Sequence, residues 1–407
     1  MSEAAHAVLL HGERVGTILQ RGDVARFIFV DEYWEDSSRN VLGLWFEDDP
    51  RRSPQAALRL PPWFSNLLPE GRLRDWIARD QGVSVERELQ LLLRIGNDLP
   101  GAVQVLPFVG EMDFDPDVLA DTQHIVARNN IQASPWKFSL AGVGLKFSLL
   151  KQNERLTIPM AGAVGDWIVK FPDATYSDVP ANEFATMSLA GRVGINIPEI
   201  SLVHRDELPP LSDIVWPGAE DQAYAVARFD RAPGGRRIHI EDLAQVRGFY
   251  DDRKYHGAFE TVAALIYRGK DTSSLREFIR RLTFNILIGN GDAHLKNWSL
   301  IYPDGRIPTL SPAYDLVSTA PYANEYAPDD FGLKFNGTKI LDRVDRSSFE
   351  QLQRRLGVDT TEVIDIVDAT VEMLAEAWRS GARETFPPLV GEWVDARLPH
   401  VQARLSK

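Results

Sequence analysis

The order of strand-like and helix-like segments is the feature of this sequence that most restricts its fold. Short apolar runs bounded by turn residues, which predict strands, lie almost entirely before residue 230. Beyond residue 240 the apolar positions recur mainly at helical spacing, as in residues 274–288 and 347–380. A block of strands followed by a block of helices predicts an α+β fold.

The first hundred residues carry strand and helix signals of their own. The predicted strands are 6–10, 15–19, 25–30 and 103–108, and the predicted helices are 72–80 and 85–95. Between them, residues 60–71 contain three prolines, which predict a fixed, non-helical turn region. The acidic, proline-containing stretch 111–118 predicts a boundary. We therefore expect a small β-rich N-terminal subdomain over residues 1–110.

The remainder of the chain predicts a two-lobed catalytic unit. Its strand signals come first, and its helical signals dominate afterwards. The predicted elements of the first lobe are strands 166–172, 200–203 and 224–229 and a helix over 180–194. We predict an N-lobe over residues 135–230 and a mostly helical C-terminal lobe over residues 231–407.

Composition excludes several classes of function. Lys and Arg number 45 against 58 Asp and Glu, so the net charge is −13. Such a surface repels phosphate backbones, which argues against non-specific nucleic-acid binding by this chain alone. The absence of cysteine excludes disulfides, thiolate catalysis and Cys-ligated zinc or iron–sulfur centres. No signal-peptide pattern or run of ~18 apolar residues occurs, so we expect a cytoplasmic location without a membrane span.

The sequence of residues 289–297, GNGDAHLKN, carries the strongest chemical signal. Asp292 and Asn297 have the spacing of kinase catalytic loops, in which Asp accepts the proton of a substrate hydroxyl and Asn binds Mg²⁺. Asp315 follows a predicted strand and suits a second metal ligand. Each residue alone has an ordinary explanation as a turn or cap, but their joint order predicts phosphoryl transfer. His294 lacks a second ligand at suitable spacing, which disfavours zinc.

Two charged residues upstream agree with this chemistry. Lys170 closes an apolar strand, the position from which a kinase lysine holds the α- and β-phosphates. A charge at such a position usually has a partner, and Glu183 on the following predicted helix is the candidate. The alternative for Glu183 is an ordinary solvent-facing helix position.

The small residues of segment 139–146 would let backbone N–H groups approach phosphates. Gly142 and Gly144 supply the necessary backbone freedom. A Gly-x-Gly sequence alone is more often a hairpin. We place Lys146 within this loop, and therefore expect Lys170 rather than Lys146 to be the nucleotide lysine.

These motifs together resemble HipA-type serine/threonine kinases, the toxins of bacterial type II toxin–antitoxin systems. The resemblance covers nearly the whole chain. Nine segments carry it in order: residues 60–71, 96–102, 139–142, 168–172, 182–183, 227–231, 241–242, 291–297 and 314–315. It implies a protein-kinase-like bilobal core that uses ATP and Mg²⁺.

Carried over to this sequence, the resemblance implies a role for each motif residue. Asp292 would be the catalytic residue, and Asn297 and Asp315 would bind Mg²⁺. Ala227 and Phe229 would form the hinge that meets adenine, and Ser139 would be the site of autophosphorylation. The remaining residues of the implied ATP site are Lys170, Glu183, His294, Gly142 and Gly144.

The resemblance also implies partners. Family toxins are neutralised by a small helix-turn-helix antitoxin of the HipB type, so this chain would contact DNA only through that antitoxin. Family substrates include aminoacyl-tRNA synthetases. One departure stands in residues 141–146, which read AGVGLK where the family usually has Ala-Gly-x-Gln-Glu-Lys. This departure leaves open a pseudokinase that acts as a co-repressor subunit. A small-molecule kinase of the same architecture also stays open, because the phosphate machinery does not define the acceptor.

Ser139 supplies the first testable prediction. A phosphate there adds about −1.5 to −2 charges near Asp292 and Asp315 and should open the loop and weaken ATP binding. Intact-mass spectrometry after incubation with ATP and Mg²⁺ should show one phosphate on the wild type and none on Ser139→Ala, which should stay active longer. An active enzyme without phosphate on Ser139 contradicts this switch.

Overall fold

The computed structural model describes nine ranges of the chain. They are residues 3–49, 52–107, 146–152, 155–157, 165–208, 211, 215–323, 330–358 and 362–406. Ser139, Gly142, Gly144 and the boundary predicted at 111–118 lie outside these ranges. No helix in the described ranges has the length and apolar character needed to cross a membrane.

A five-stranded antiparallel sheet with five helices forms the N-terminal part. Its strand order is β4-β3-β2-β1-β5. The strands are β1 (Glu3–Leu10), β2 (Glu13–Arg21), β3 (Val24–Phe29), β4 (Gln55–Ala57) and β5 (Val103–Pro107). The helices are α1 (Asp31–Glu35), α2 (Leu44–Glu47), α3 (Pro62–Ser65), α4 (Gly71–Asp80) and α5 (Glu88–Ile95).

The proline-rich segment 60–71 differs from its sequence expectation. We expected no helix there, but α3 forms one turn directly after Pro61. Proline fits the first helical position because its missing N–H has no partner there in any helix. The segment is buried around Trp63 and Phe64, and it runs from the N-terminal sheet towards the C-terminal lobe.

A second five-stranded antiparallel sheet, of order β7-β6-β8-β10-β9, follows the N-terminal part. Its strands are β6 (Lys146–Gln152), β7 (Arg155–Thr157), β8 (Trp167–Lys170), β9 (Ile200–His204) and β10 (Gln222–Ala227). Helix α6 (Val179–Arg192) packs against this sheet. The arrangement places the end of β8 beside the helix that follows it.

The C-terminal lobe contains helices and two small sheets. Its helices are α7 (Leu243–Val246), α8 (Phe259–Ile266), α9 (Thr272–Ile288), α10 (Arg346–Leu356), α11 (Glu362–Ala377) and α12 (Pro388–Leu405). The strands are β11 (His239–Asp242), β12 (Ser299–Tyr302), β13 (Thr309–Leu310), β14 (Asp330–Phe335) and β15 (Thr338–Ile340).

Two features of this lobe were missed by the sequence patterns. Strands β11 and β12 pair although some sixty residues separate them, as in the register His239 to Tyr302, and local periodicity carries no signal for such pairing. The segment 347–380, expected as one helical tail, holds two helices. Gly357 ends α10 in the left-handed conformation at φ 62°, which favours glycine.

The apolar core joins the two large sheets. Phe27 and Phe64 of the N-terminal part belong to the same buried cluster as Phe147 and Val169 of the second sheet. A second cluster surrounds helix α9, most of whose residues are buried. The N-terminal part therefore shares its interior with the second sheet and does not pack apart from it.

A buried ionic cluster reinforces this junction. Arg228 donates to Asp98 of the N-terminal part at 2.9 Å and to Asp230 at 3.0 and 2.9 Å. Arg231 donates to the same two carboxylates at 2.9 and 2.8 Å. All four side chains are buried, so each charge depends on its neighbours for compensation.

Removal of one member of this cluster should be costly. Arg228→Met should lower the free energy of unfolding by about 3–5 kcal/mol because it leaves Asp98 and Asp230 undercompensated in the interior. Arg276→Met is the matched control: Arg276 pairs with Glu362 and its side chain is 59% exposed, so a loss of about 0–1 kcal/mol is expected. Urea unfolding followed by tryptophan fluorescence measures both, and equal losses would contradict a structural role for the cluster.

Candidate active site

One cavity of about 390 Å³ lies between the second sheet and the C-terminal lobe. The N-terminal part closes one side of it through Asn66, Glu70 and Arg72. Every site residue proposed from the sequence that lies in the described ranges lines this cavity. These residues are Lys170, Glu183, Ala227, Phe229, Asp292, His294, Asn297 and Asp315.

Lys170 lies at the end of β8 between two carboxylates. Its ammonium donates to Glu183 at 2.5 Å and also to Asp315. Burial alone would lower the pKa of Lys170, but the charges of Asp315 and Glu183 outweigh it and raise that pKa. Burial raises the pKa of Glu183 to about 7 against the opposing effect of Lys170. The ion pair expected between Lys170 and Glu183 is thus present in the fold, with Asp315 as a third member.

The backbone at Asp315 adopts an uncommon conformation. Its φ is +54°, in the left-handed region that Asp tolerates better than most residues. Burial would raise the pKa of its carboxyl, but the charges of Lys170 and Lys146 hold that pKa well below its usual range. The preceding Tyr314 is fixed because its hydroxyl donates to the carbonyl of Lys296 at 2.9 Å. The left-handed turn therefore brings an ionised carboxylate to Lys170.

The loop after α9 begins at a position that requires glycine. Gly289 has φ +66°, and a Cβ there would lie 2.3 Å from the ring of Trp393. The side-chain carbonyl of Asn290 then accepts from the N–H of Asp292 at 3.0 Å. The amide nitrogen of Asn297 donates to the carbonyl of Asp292 at 2.8 Å. These bonds fix the backbone of Asp292 and leave the amide oxygen of Asn297 as the atom that can meet a cation.

Tyr255 contacts the candidate catalytic carboxylate directly. Its hydroxyl donates to Oδ1 of Asp292 at 2.6 Å, and the Asp292 side chain is 52% exposed. Burial and the charge of Asp292 raise the pKa of Tyr255, so it is neutral and able to donate. Burial lowers the pKa of His294 to about 4, although Asp292 opposes this, so the imidazole is neutral. No sequence pattern indicated Tyr255, which lies 37 residues before Asp292.

The donor set fits a magnesium ion that is completed by a nucleotide. The described residues hold no group of three or more His, Asp or Glu side chains that could bind a metal alone. Asn297 and Asp315 instead offer single oxygens to the same cavity. Mg²⁺ commonly takes one or two protein oxygens and completes its octahedron with phosphates and water.

The hinge residues differ in what their backbone can offer. The N–H of Ala227 already donates to the carbonyl of Glu199 at 2.8 Å, so it is not available to a ligand. The N–H of Phe229 has no backbone acceptor among the described residues, and both residues line the cavity. Phe229 is therefore the better placed of the two to donate to a nucleobase.

Lys146 is not in the loop where we expected it. It is the first residue of β6 and pairs in register with Lys170, so its buried side chain also lines the cavity. We placed Lys146 in the loop because the small residues that precede it predict a turn, whereas pairing with β8 starts the strand at Lys146 itself. Burial lowers the pKa of Lys146, and the negative charges of Asp315 and Glu183 oppose this shift.

Because two carboxylates share the ammonium of Lys170, removal of this lysine should lower the free energy of unfolding even when no ligand is bound. Lys170→Met should lower the free energy of unfolding by about 3–5 kcal/mol because two carboxylates lose their common counter-charge. Adding Glu183→Gln should recover part of that loss, since one of the two uncompensated charges is removed. Urea unfolding of both variants measures the difference, and a double variant less stable than Lys170→Met would contradict the prediction.

Comparison with known proteins identifies the family of this chain. The model of the HipA-like C-terminal domain matches residues 138–378, and the model of the HipA N-terminal domain matches residues 6–106. The candidate kinase Y4dM of Sinorhizobium fredii is 43% identical over 408 residues, covering 97% of this chain and 96% of that relative. The serine/threonine-protein kinase toxin HipA of Shewanella oneidensis is 30% identical over 294 residues, covering 63% and 62%.

A solved structure agrees with the fold over nearly the whole chain. It is the complex of HipA, HipB and operator DNA from Shewanella oneidensis MR-1, with a TM-score of 0.72 and 22% identity, covering 98% of this chain and 96% of that one. The predicted α+β, kinase-like fold is thereby confirmed. Together with the family models, which span most of the sequence, these matches show that the chain belongs to the HipA-like kinase family.

Proposed function

We propose that this chain is an ATP- and Mg²⁺-dependent protein serine/threonine kinase that acts as the toxin of a toxin–antitoxin pair. One observation carries the catalytic part of the proposal. The Lys170–Glu183–Asp315 cluster and the Asp292–Asn297 loop line the same cavity, which is the arrangement that phosphoryl transfer requires.

The residues that line the cavity have distinct roles in the proposed reaction. Lys170 holds the phosphates, and Glu183 keeps the lysine in place. Asp315 and Asn297 supply oxygens to Mg²⁺, which when bound neutralises charge on the transferring phosphoryl group. Phe229 meets the adenine, and the neutral His294 can donate to a phosphate oxygen. Positioning and electrostatic stabilisation therefore account for catalysis.

Asp292 acts on the acceptor side. Tyr255 occupies Oδ1, which leaves Oδ2 to orient the acceptor hydroxyl and receive its proton. The Asp292 side chain is 52% exposed, whereas those of Asp315 and Glu183 are 27% and 4% exposed. An enclosed phosphate side and an open acceptor side favour a hydroxyl presented by a large substrate such as a protein over a buried metabolite.

The toxin role and its partner come from the family. The Shewanella relative is named a kinase toxin, and the solved complex contains HipB and operator DNA. We propose an equivalent helix-turn-helix antitoxin for this chain. The net charge of −13 favours contact with DNA through that partner rather than by the chain itself. An aminoacyl-tRNA synthetase in the cytoplasm is the substrate class that the family suggests.

Two substitutions separate catalysis from nucleotide binding. Asp292→Asn keeps the shape of the side chain but removes the carboxylate, so phosphoryl transfer should fall by about 10²–10⁴-fold while ATP still binds. Asp315→Ala should instead abolish the Mg²⁺ dependence of ATP binding. Radiolabel transfer to protein and calorimetric titration of ATP with and without Mg²⁺ measure the two effects.

The same variants test the cellular role. Expression of the wild type should arrest growth and label serine or threonine residues of a host protein in phosphoproteomics, whereas Asp292→Asn should do neither. Transfer to a metabolite without protein labelling would favour a small-molecule kinase. ATP binding without any transfer would favour a pseudokinase, and wild-type activity in Asp292→Asn would refute the assignment of the catalytic loop.

A further inference from the structure

We propose that Glu70, in the N-terminal part, is a positioning residue for phosphoryl transfer. It holds two lysines, Lys254 and Lys296, that flank the reacting centre. This role rests on the proposed function. It gives the N-terminal part, which supplies none of the residues of the kinase motifs, a part in positioning the catalytic loop.

The geometry of Glu70 divides its two oxygens between two lysines. Oε2 accepts from the ammonium of Lys254 at 2.8 Å, and Oε1 lies 2.9 Å from the ammonium of Lys296. Glu70 is 8% exposed and each lysine is 7% exposed, so water competes little for these contacts. Glu70 immediately precedes α4, which anchors its backbone in the N-terminal part.

Each lysine directly precedes a residue that fixes Asp292. Lys254 is followed by Tyr255, whose hydroxyl donates to the Asp292 carboxylate. Lys296 is followed by Asn297, whose amide donates to the carbonyl of Asp292. Release of either lysine would therefore displace a group that orients the carboxylate, and near-ångström displacements are costly in phosphoryl transfer.

A neighbouring residue of the same segment strengthens the contact. Oδ1 of Asn66 accepts from the ammonium of Lys296 at 2.9 Å, while its amide nitrogen donates to the carbonyl of Phe249 at 2.6 Å. Asp242 lies 3.7 Å from Lys296, so two lysines face two carboxylates and the cluster is neutral. Burial would raise the pKa of Glu70, but Lys296 and Lys254 lower it to about 2, so Glu70 is ionised at neutral pH.

A purely structural role is the competing explanation, and the chain offers a matched control for it. Glu88 is a second buried carboxylate of the N-terminal part that holds the same proline-rich segment. It accepts from the N–H of Leu60 at 2.7 Å and from the hydroxyl of Ser65 at 3.0 Å. No bond joins Glu88 to Lys254 or Lys296 among the described residues. Loss of its charge should loosen the segment without releasing the catalytic loop.

The experiment compares the full-length wild type with Glu70→Gln and Glu88→Gln. Steady-state ADP release with Mg-ATP and dephosphorylated casein gives kcat and the KM for ATP, and urea unfolding gives stability. Glu70→Gln should lower kcat by about tenfold or more while the KM for ATP changes less than about threefold. Glu88→Gln should keep kcat within about threefold of the wild type, even if its free energy of unfolding falls by as much as that of Glu70→Gln.

Hydrogen–deuterium exchange supplies a readout that needs no turnover. Peptides covering residues 290–297 and 254–258 should exchange faster in Glu70→Gln than in Glu88→Gln or the wild type. If the wild type transfers no phosphate, the proposed function fails, and this exchange alone decides whether Glu70 positions the loop. Unchanged exchange in Glu70→Gln, or equal losses of kcat in both variants, would overturn the inference.

Discussion

Compensation of buried charge governs how the parts of this protein pack together. An ion without a partner in the interior costs several kcal/mol, so each cation near the cavity faces a carboxylate. Three clusters obey this rule with two cations and two carboxylates each. They are Lys146 and Lys170 with Glu183 and Asp315, Lys254 and Lys296 with Glu70 and Asp242, and Arg228 and Arg231 with Asp98 and Asp230.

These clusters tie together segments that are distant in the chain. The first joins β6, β8 and α6 to the turn at Asp315, and thereby sets the phosphate side of the cavity. The second joins the proline-rich segment to the loop of Asp292. Because most of their members line the same cavity, the charges that stabilise the fold also form much of the wall of the candidate site.

The sequence revealed the parts of the site that depend on local spacing. Asp292 and Asn297 lie on one loop, and Lys170 precedes Glu183 by thirteen residues, so strand and helix geometry brings each pair together. Asp315 was placed by its position after a strand, although nothing indicated its left-handed backbone. The order of strands and helices likewise predicted the fold class, and most of the large elements were found within a few residues of their expected bounds.

Contacts between distant segments could not be predicted in the same way. Tyr255 reaches Asp292 across 37 residues, and Lys254 reaches Glu70 across 184, separations for which periodicity and spacing carry no information. Short strands such as β11 form only because a partner far along the chain supplies their hydrogen bonds. Lys146 was misplaced for the same reason, since its strand is defined by pairing with β8 and not by its own residues.

The N-terminal part also takes its position from the compensation of buried charge. Without Asp98 and Glu70, the cations Arg228 and Lys296 would each lose a principal counter-charge at the edge of the cavity. The rest of the chain would then carry surplus positive charge beside residues 227–229 and beside the loop of Asp292. Since the two large sheets also share one apolar core, the first hundred residues complete both the folding unit and one wall of the cavity. The buried ion pairs that hold the N-terminal part in the fold therefore also reach the cavity proposed as the active site.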